Sequence, residues 1–138
     1  MREETKEQSI RVVLVEPGKY AREAVIGTEL SDLQEVCGGW IQTYYPFEEM
    51  VCIVCNDEGK LIGMPLNRGI KDEETGELVD IIAGPFFICD CNTENFGSLS
   101  QEQVDRYLEK FKNPERFYRT DDKIVAVPYE PKAKAWER

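Results

Sequence analysis

The chain contains no histidine. That absence removes the commonest general base and the commonest metal ligand. A Ser-His-Asp or Cys-His arrangement within one chain is therefore excluded, and acid–base chemistry falls to Asp, Glu, Lys, Tyr or Cys. Cations are scarce too: 17 Lys and Arg stand against 27 Asp and Glu, a formal net charge of -10 over 138 residues. A duplex phosphate backbone must be neutralised by Lys and Arg, so this balance argues against direct duplex nucleic acid as a partner. It suits docking on a basic protein. No apolar run approaches membrane-spanning length. The start, MREETKEQS, is polar and charged, unlike a secretory signal. Five cysteines, an odd number without disulfide-framework spacing, read as reduced thiols in a cytoplasmic setting.

What is present reads as one domain. IRVVLVEP, from Ile10, is a β-branched run that stops at a Pro-Gly turn, with YAREAVI as its antiparallel partner. SDLQEVCGG carries a capping-box spacing at Ser31 and Gln34 and ends on glycine, which predicts a short helix. WIQTYY and MVCIVCN read as strands, and the latter is expected to turn at DEG into KLIGM as a hairpin. PLNRG then reads as a non-regular connector, and IIAGPFFICD as one strand with an irregularity at Gly84-Pro85. In SQEQVDRYLEKFKN, Ser100 and Gln103 repeat the capping box, and Val104, Tyr107, Leu108 and Phe111 recur at helical period. The expectation is an α+β domain: a largely antiparallel sheet of about five to six strands with two helices. Residues 1–9 are expected as a flexible N-terminus, 10–118 as the domain, and 119–138 as a charged tail with one β-like run, KIVAVPY.

Each candidate site residue has two readings. Gly38 and Gly39 let a ligand approach the backbone, or they cap a helix. Trp40, Tyr44 and Tyr45 stack on a base, or pack on a helix. Lys60, Asn67 and Arg68 form an anion site, with the Arg68 guanidinium forked onto a phosphate or carboxylate, or Arg68 bridges to Asp72 or Asp80 as a structural pair. Asp57 and Glu58 are a turn, or lone cation ligands without a calcium-loop spacing. Cys52-x-x-Cys55 with Cys89-x-Cys91 counts four thiols. In a strand, however, an offset of three puts Cys52 and Cys55 on opposite faces, so no metal and no cofactor is assigned.

GGWIQTYYPF, CIVCNDEGKLIGMPLNR, DIIAGPFFI and SLSQEQVDRYLEKF, taken in that order, resemble the domain-of-unknown-function 3846 family of small phage and mobile-element proteins. The motif positions are Gly38, Gly39, Pro46, Asn56, Glu58, Gly59, Lys60, Pro65, Leu66, Asn67, Arg68, Asp80 and Gly84. The similarity runs from about Ile10 to Phe117. The family brings no assigned reaction. What the resemblance implies is a setting in the host cell cytoplasm, where accessory proteins of mobile elements counter host defence. Three functions are weighed: a non-enzymatic protein that sequesters a small anionic ligand such as a nucleotide immune signal, an acidic inhibitor that occupies the nucleic-acid channel of a defence nuclease, and a carboxylate–metal enzyme without an adequate ligand set. The first is the expectation adopted, through Gly38, Gly39, Trp40, Tyr44, Lys60, Asn67 and Arg68, and the second is its alternative. A homo-oligomer is compatible with either.

Overall fold

The computed structural model describes residues 8–131. The outer parts of the expected N-terminus and tail, 1–7 and 132–138, lie outside the described residues. The described residues form nine strands and two helices: β1 (Ser9–Val15), β2 (Arg22–Gly27), α1 (Leu30–Cys37), β3 (Ile41–Tyr44), β4 (Val51–Asn56), β5 (Leu66–Lys71), β6 (Leu78–Ala83), β7 (Phe86–Asp90), α2 (Gln101–Lys110), β8 (Glu115–Thr120) and β9 (Lys123–Pro128). The expected α+β class, with a mostly antiparallel sheet and two helices, is what the chain adopts.

The main sheet has the order β2-β1-β7-β4-β3, antiparallel throughout. Its central strands are apolar on both faces, as buried strands must be. Val13, Val15, Val51, Ile53, Phe86 and Ile88 pack on Val104 and Tyr107 of α2, on its C-cap Phe111, and on Ile70 and Ile82 of the β5–β6 hairpin. The opposite face, with Ile10, Val12, Leu14, Val54 and Phe87, packs on Leu33 and Cys37 of α1. Helix α2 starts as the sequence predicts. Ser100 accepts from Gln103 N at 3.1 Å, and the Gln103 side chain accepts from Ser100 N at 2.9 Å. Helix α1 also starts with a capping box, but two residues earlier, at Glu29 and Asp32 rather than Ser31 and Gln34.

Three expectations are corrected. KLIGM is not a strand. After Asn56 the chain winds through a helical turn, with Ile62 N donating to Glu58 O at 3.0 Å and Met64 N to Gly59 O at 2.9 Å. Gly63, at φ 80, stops that turn. PLNRG is not a connector: its Leu66, Asn67, Arg68 and Gly69 form most of β5, paired with β6. IIAGPFFICD is two strands in two sheets, divided at Gly84, whose φ of 86 turns the chain from β6 into β7. The region read as a tail supplies β9, which closes a hairpin with β8. That hairpin lies over β5: the space beside the Gly69 Cα is taken by Leu78, Phe117 and Ala126.

Gly59 ties the helical turn to this frame. A Cβ there would stand 2.5 Å from the Ala83 carbonyl oxygen, a backbone atom with little freedom to retreat. Gly59→Ala is expected to lower stability by about 1–3 kcal/mol, the usual range for an overpacked site. A urea titration by circular dichroism checks this, and an unchanged midpoint would show that the turn shifts freely.

Candidate functional site

Five of the seven expected ligand residues lie along β3 or on the segments that flank it and β4. Gly38 is the left-handed cap of α1, with φ 80 and its N–H donating to Gln34 O at 2.8 Å. Side chains from the chain itself approach both glycines: a Cβ on Gly38 would lie 2.8 Å from Met64 Cε, and one on Gly39 would lie 3.0 Å from Asn56 Nδ2. The pair therefore serves capping and close packing. Asn56 locks the same corner, donating to Cys37 O at 3.1 Å and accepting from Glu58 N at 2.7 Å. Trp40 follows and is 70% exposed, with its carbonyl accepting from Asp57 N at 2.7 Å. Tyr44 and Lys60 do converge, lining one cavity of about 160 Å³ with Asp57, Glu58 and Asp80. Lys60 Nζ is paired with Asp80 at 2.9 Å. Three carboxylates beside one committed ammonium make this cavity a poor match for an anion, and drug-sized ligands fill about 300–1,000 Å³.

Asn67 and Arg68 are elsewhere, inside the protein, each 1% exposed. Arg68 Nη2 donates to Lys19 O at 2.7 Å, Nε to Phe111 O at 3.1 Å and Nη1 to Asn67 Oδ1 at 2.9 Å. Asn67 Nδ2 donates in turn to Val15 O and Gly84 O. Arg68, expected as a ligand contact, is thus held as an internal pin, and among the described residues neither Asp72 nor Asp80 pairs with it. Burial pulls the guanidinium down to about 10, against the pull of the nearby Glu115 charge. Its fork geometry is used as proposed, but on backbone and amide oxygens rather than on phosphate.

Leu61 and Ile62, which strand periodicity would place in a hairpin, stand 86% and 58% exposed on the helical turn after Asp57 and Glu58. Gly59 and Gly63, four apart and followed by Pro65, were the available signal for a turn of helix that ends there. A second region without a sequence signature is the clamp on Glu49. Its carboxylate accepts from Gln103, Arg106 and Tyr107, fixing the segment after β3 to α2. Partial burial pushes the Glu49 carboxyl up, but the bonds from Tyr107, Gln103 and Arg106 outweigh it and hold it below its ordinary value. A larger groove, of about 910 Å³, runs between β6 and β9 and carries Lys60, Lys71 and Lys123 beside Glu77, Asp80 and Asp122. Cys52 and Cys55 face opposite sides of β4, in separate clusters of the core. Among the described residues, no helix is long and apolar enough to cross a membrane.

Removing the pin leaves buried acceptors on Lys19, Phe111 and Asn67 without a donor. Arg68→Ala is expected to cost about 3–5 kcal/mol, the range for stripping one partner from a buried charged network. That corresponds to a melting point lower by roughly 10 °C or more. Arg68→Lys should recover only part of the loss, since an ammonium cannot span the same three acceptors. Differential scanning calorimetry of the three proteins decides it. A melting point within a few degrees of wild type for Arg68→Ala would return the residue to the pool of ligand contacts.

A model of the family described as Domain of unknown function (DUF3846) matches residues 10–112, and the chain belongs to that family. No curated protein and no solved structure matches it.

Proposed function

We propose that this member of the family is a non-enzymatic binding protein that docks on a positively charged protein surface. The observation that carries the reading is the apolar, acidic end of the main sheet. Trp40, whose carbonyl accepts from Asp57 N, and Leu61 and Ile62, on the helical turn that follows Asp57 and Glu58, are all exposed, while the two cations expected to bind an anion are occupied. A large exposed aromatic at the centre of a contact with aliphatic neighbours is the usual make-up of a binding hot spot. Isolated exposed apolar residues need no explanation, but a grouped set does. The surrounding carboxylates and the net charge of -10 supply steering toward a basic partner. In the mobile-element setting that the resemblance implies, the partner class is a host defence nuclease, approached at its nucleic-acid channel.

The β6–β9 groove supports a second reading, capture of a small anionic ligand such as a nucleotide. Its volume is in the range for such molecules, and Lys71 and Lys123 are paired with no carboxylate among the described residues. The acidic residues in the same groove weigh against it.

Purified restriction and CRISPR-type nucleases, immobilised for interferometry, test the first reading. Binding is expected to weaken with salt. Trp40→Ala, and Leu61→Ser with Ile62→Ser, should each lower affinity roughly thirtyfold, the equivalent of a 2 kcal/mol hot spot, with unchanged melting. Absence of binding across the panel at micromolar concentration, together with a melting shift by a signalling nucleotide that Lys123→Ala removes, would hand the function to the second reading.

A further inference from the structure

We propose that Cys52, Cys89 and Cys91 form a site of reversible oxidation, in which a hydroperoxide taken up at Cys91 is converted into a Cys52–Cys89 disulfide between the two central strands β4 and β7. This rests on geometry independent of the docking reading. Cys52 and Cys89 are directly opposite in the antiparallel ladder, and their sulfurs are 3.9 Å apart. Opposed residues in such a ladder are about 4.5–5.5 Å apart at Cα, a span that a disulfide bridges. Both thiols are wholly buried. Cys91, two residues beyond Cys89 along β7's course and therefore on the same side, is only half-buried and packs against the core cluster that holds Cys52 and Cys89. It lies at the sheet's end, where its N–H donates to the carbonyl of exposed Met50 at 3.0 Å. The three thiols thus run from surface to core, with Cys52 and Cys89 in direct contact and Cys91 packed against their cluster.

Among the described residues, no group of three His, Cys, Asp or Glu is gathered closely enough to hold a metal ion. The contacts the thiols do make are with one another, which leaves sulfur–sulfur chemistry as their common capacity. The Cys89 thiol hydrogen bond lowers Cys52 against the effect of burial, while burial pushes Cys91 up to about 11. Cys91 is accordingly a slow acceptor of oxidant.

The steps balance as follows. The Cys91 sulfur attacks the peroxide, the O–O bond breaks, and Cys91 becomes a sulfenic acid while the peroxide leaves as an alcohol, or as water from hydrogen peroxide. The Cys52 sulfur attacks the sulfenic sulfur. The S–S bond forms, the S–O bond breaks, and hydroxide leaves with the Cys52 proton as water. The Cys89 sulfur then attacks Cys52, and Cys91 leaves as a thiolate that takes the Cys89 proton. In sum, two thiols lose two electrons and the peroxide gains them. A small dithiol reverses the change.

The test uses the full chain treated with hydrogen peroxide, then alkylated and mapped by mass spectrometry without reduction. The expected result is a mass loss of about 2 Da, reversed by dithiothreitol, with Cys52 and Cys89 in one cross-linked peptide. Cys37 and Cys55 should remain open to alkylation once the chain is unfolded. Cys91→Ser, a change at a half-buried site, should slow bridge formation at least tenfold, and Cys89→Ala should trap a Cys52–Cys91 bridge instead. Circular dichroism verifies that each variant is folded. A wild type whose five thiols all alkylate after peroxide overturns the proposal, as does a Cys91→Ser protein that closes the bridge at the wild-type rate.

Discussion

A guanidinium bonded only to neutral oxygens holds the junction of the fold. Arg68 joins the loop after β1, the end of α2 and its own neighbour Asn67, and Asn67 extends the network to the end of β1 and to Gly84. These are the places where the main sheet, α2 and the β5–β6 hairpin meet. Burying a charge is costly. It is tolerated here because three of the guanidinium's donors meet acceptors, two of them the backbone carbonyls of Lys19 in a loop and Phe111 at the end of α2. Apolar packing alone would hold β5–β6 against the sheet without specifying its register. The Arg68–Asn67 pair fixes that register, because a one-residue slip would turn both side chains to the wrong face.

The same economy shapes the surface. In a chain with a large acidic excess, each cation used internally leaves more uncompensated negative charge outside. Arg68 is buried, Lys60 is paired with Asp80, and Arg106 is held on Glu49. Asp57 and Glu58 therefore remain as exposed carboxylates next to exposed Trp40, Leu61 and Ile62. An apolar group with an acidic surround is a poor receptor for phosphate and a good one for a basic, partly apolar protein face. The character of that surface is thus set in the core, by where the cations went.

Legibility in the sequence followed how local each determinant is. The α2 cap was readable because Ser100 and Gln103 act on each other across three residues. At α1 the spacing of Ser31 and Gln34 pointed to a helix but not to its start, which lies two residues earlier on Glu29 and Asp32. The opposite-face placement of Cys52 and Cys55 was readable from strand period alone. Arg68 was not, because its partners are 43 and 49 residues away along the chain, at Phe111 and Lys19. A polar Asn-Arg pair followed by glycine has the composition of a loop, and only distant carbonyls make it a strand. Leu61 and Ile62 misled in the opposite sense: apolar residues after a turn read as a returning strand, yet the glycines at 59 and 63 and the proline at 65 favour a closed helical turn.

The family match ends at residue 112, two residues before Pro114, yet the environment of the central pin does not end there. Glu115, the first residue of β8, accepts from Gly69 N at 2.8 Å, and its charge partly restores the proton affinity that burial takes from Arg68. Phe117 and Ala126 fill the space beside Gly69 that a side chain would otherwise occupy. The hairpin is itself fastened, by Tyr129 N donating to Pro114 O at 2.9 Å and by the Arg116 guanidinium 4.0 Å above the Tyr129 ring. The outer hairpin therefore completes the burial of β5 and supplies the nearest compensating charge for Arg68. It also forms one wall of the groove along β6. From the segment that reads as a charged tail, β9 pairs with β8 and sets Ala126 beside Gly69, so the tail's one β-like run helps to cover β5.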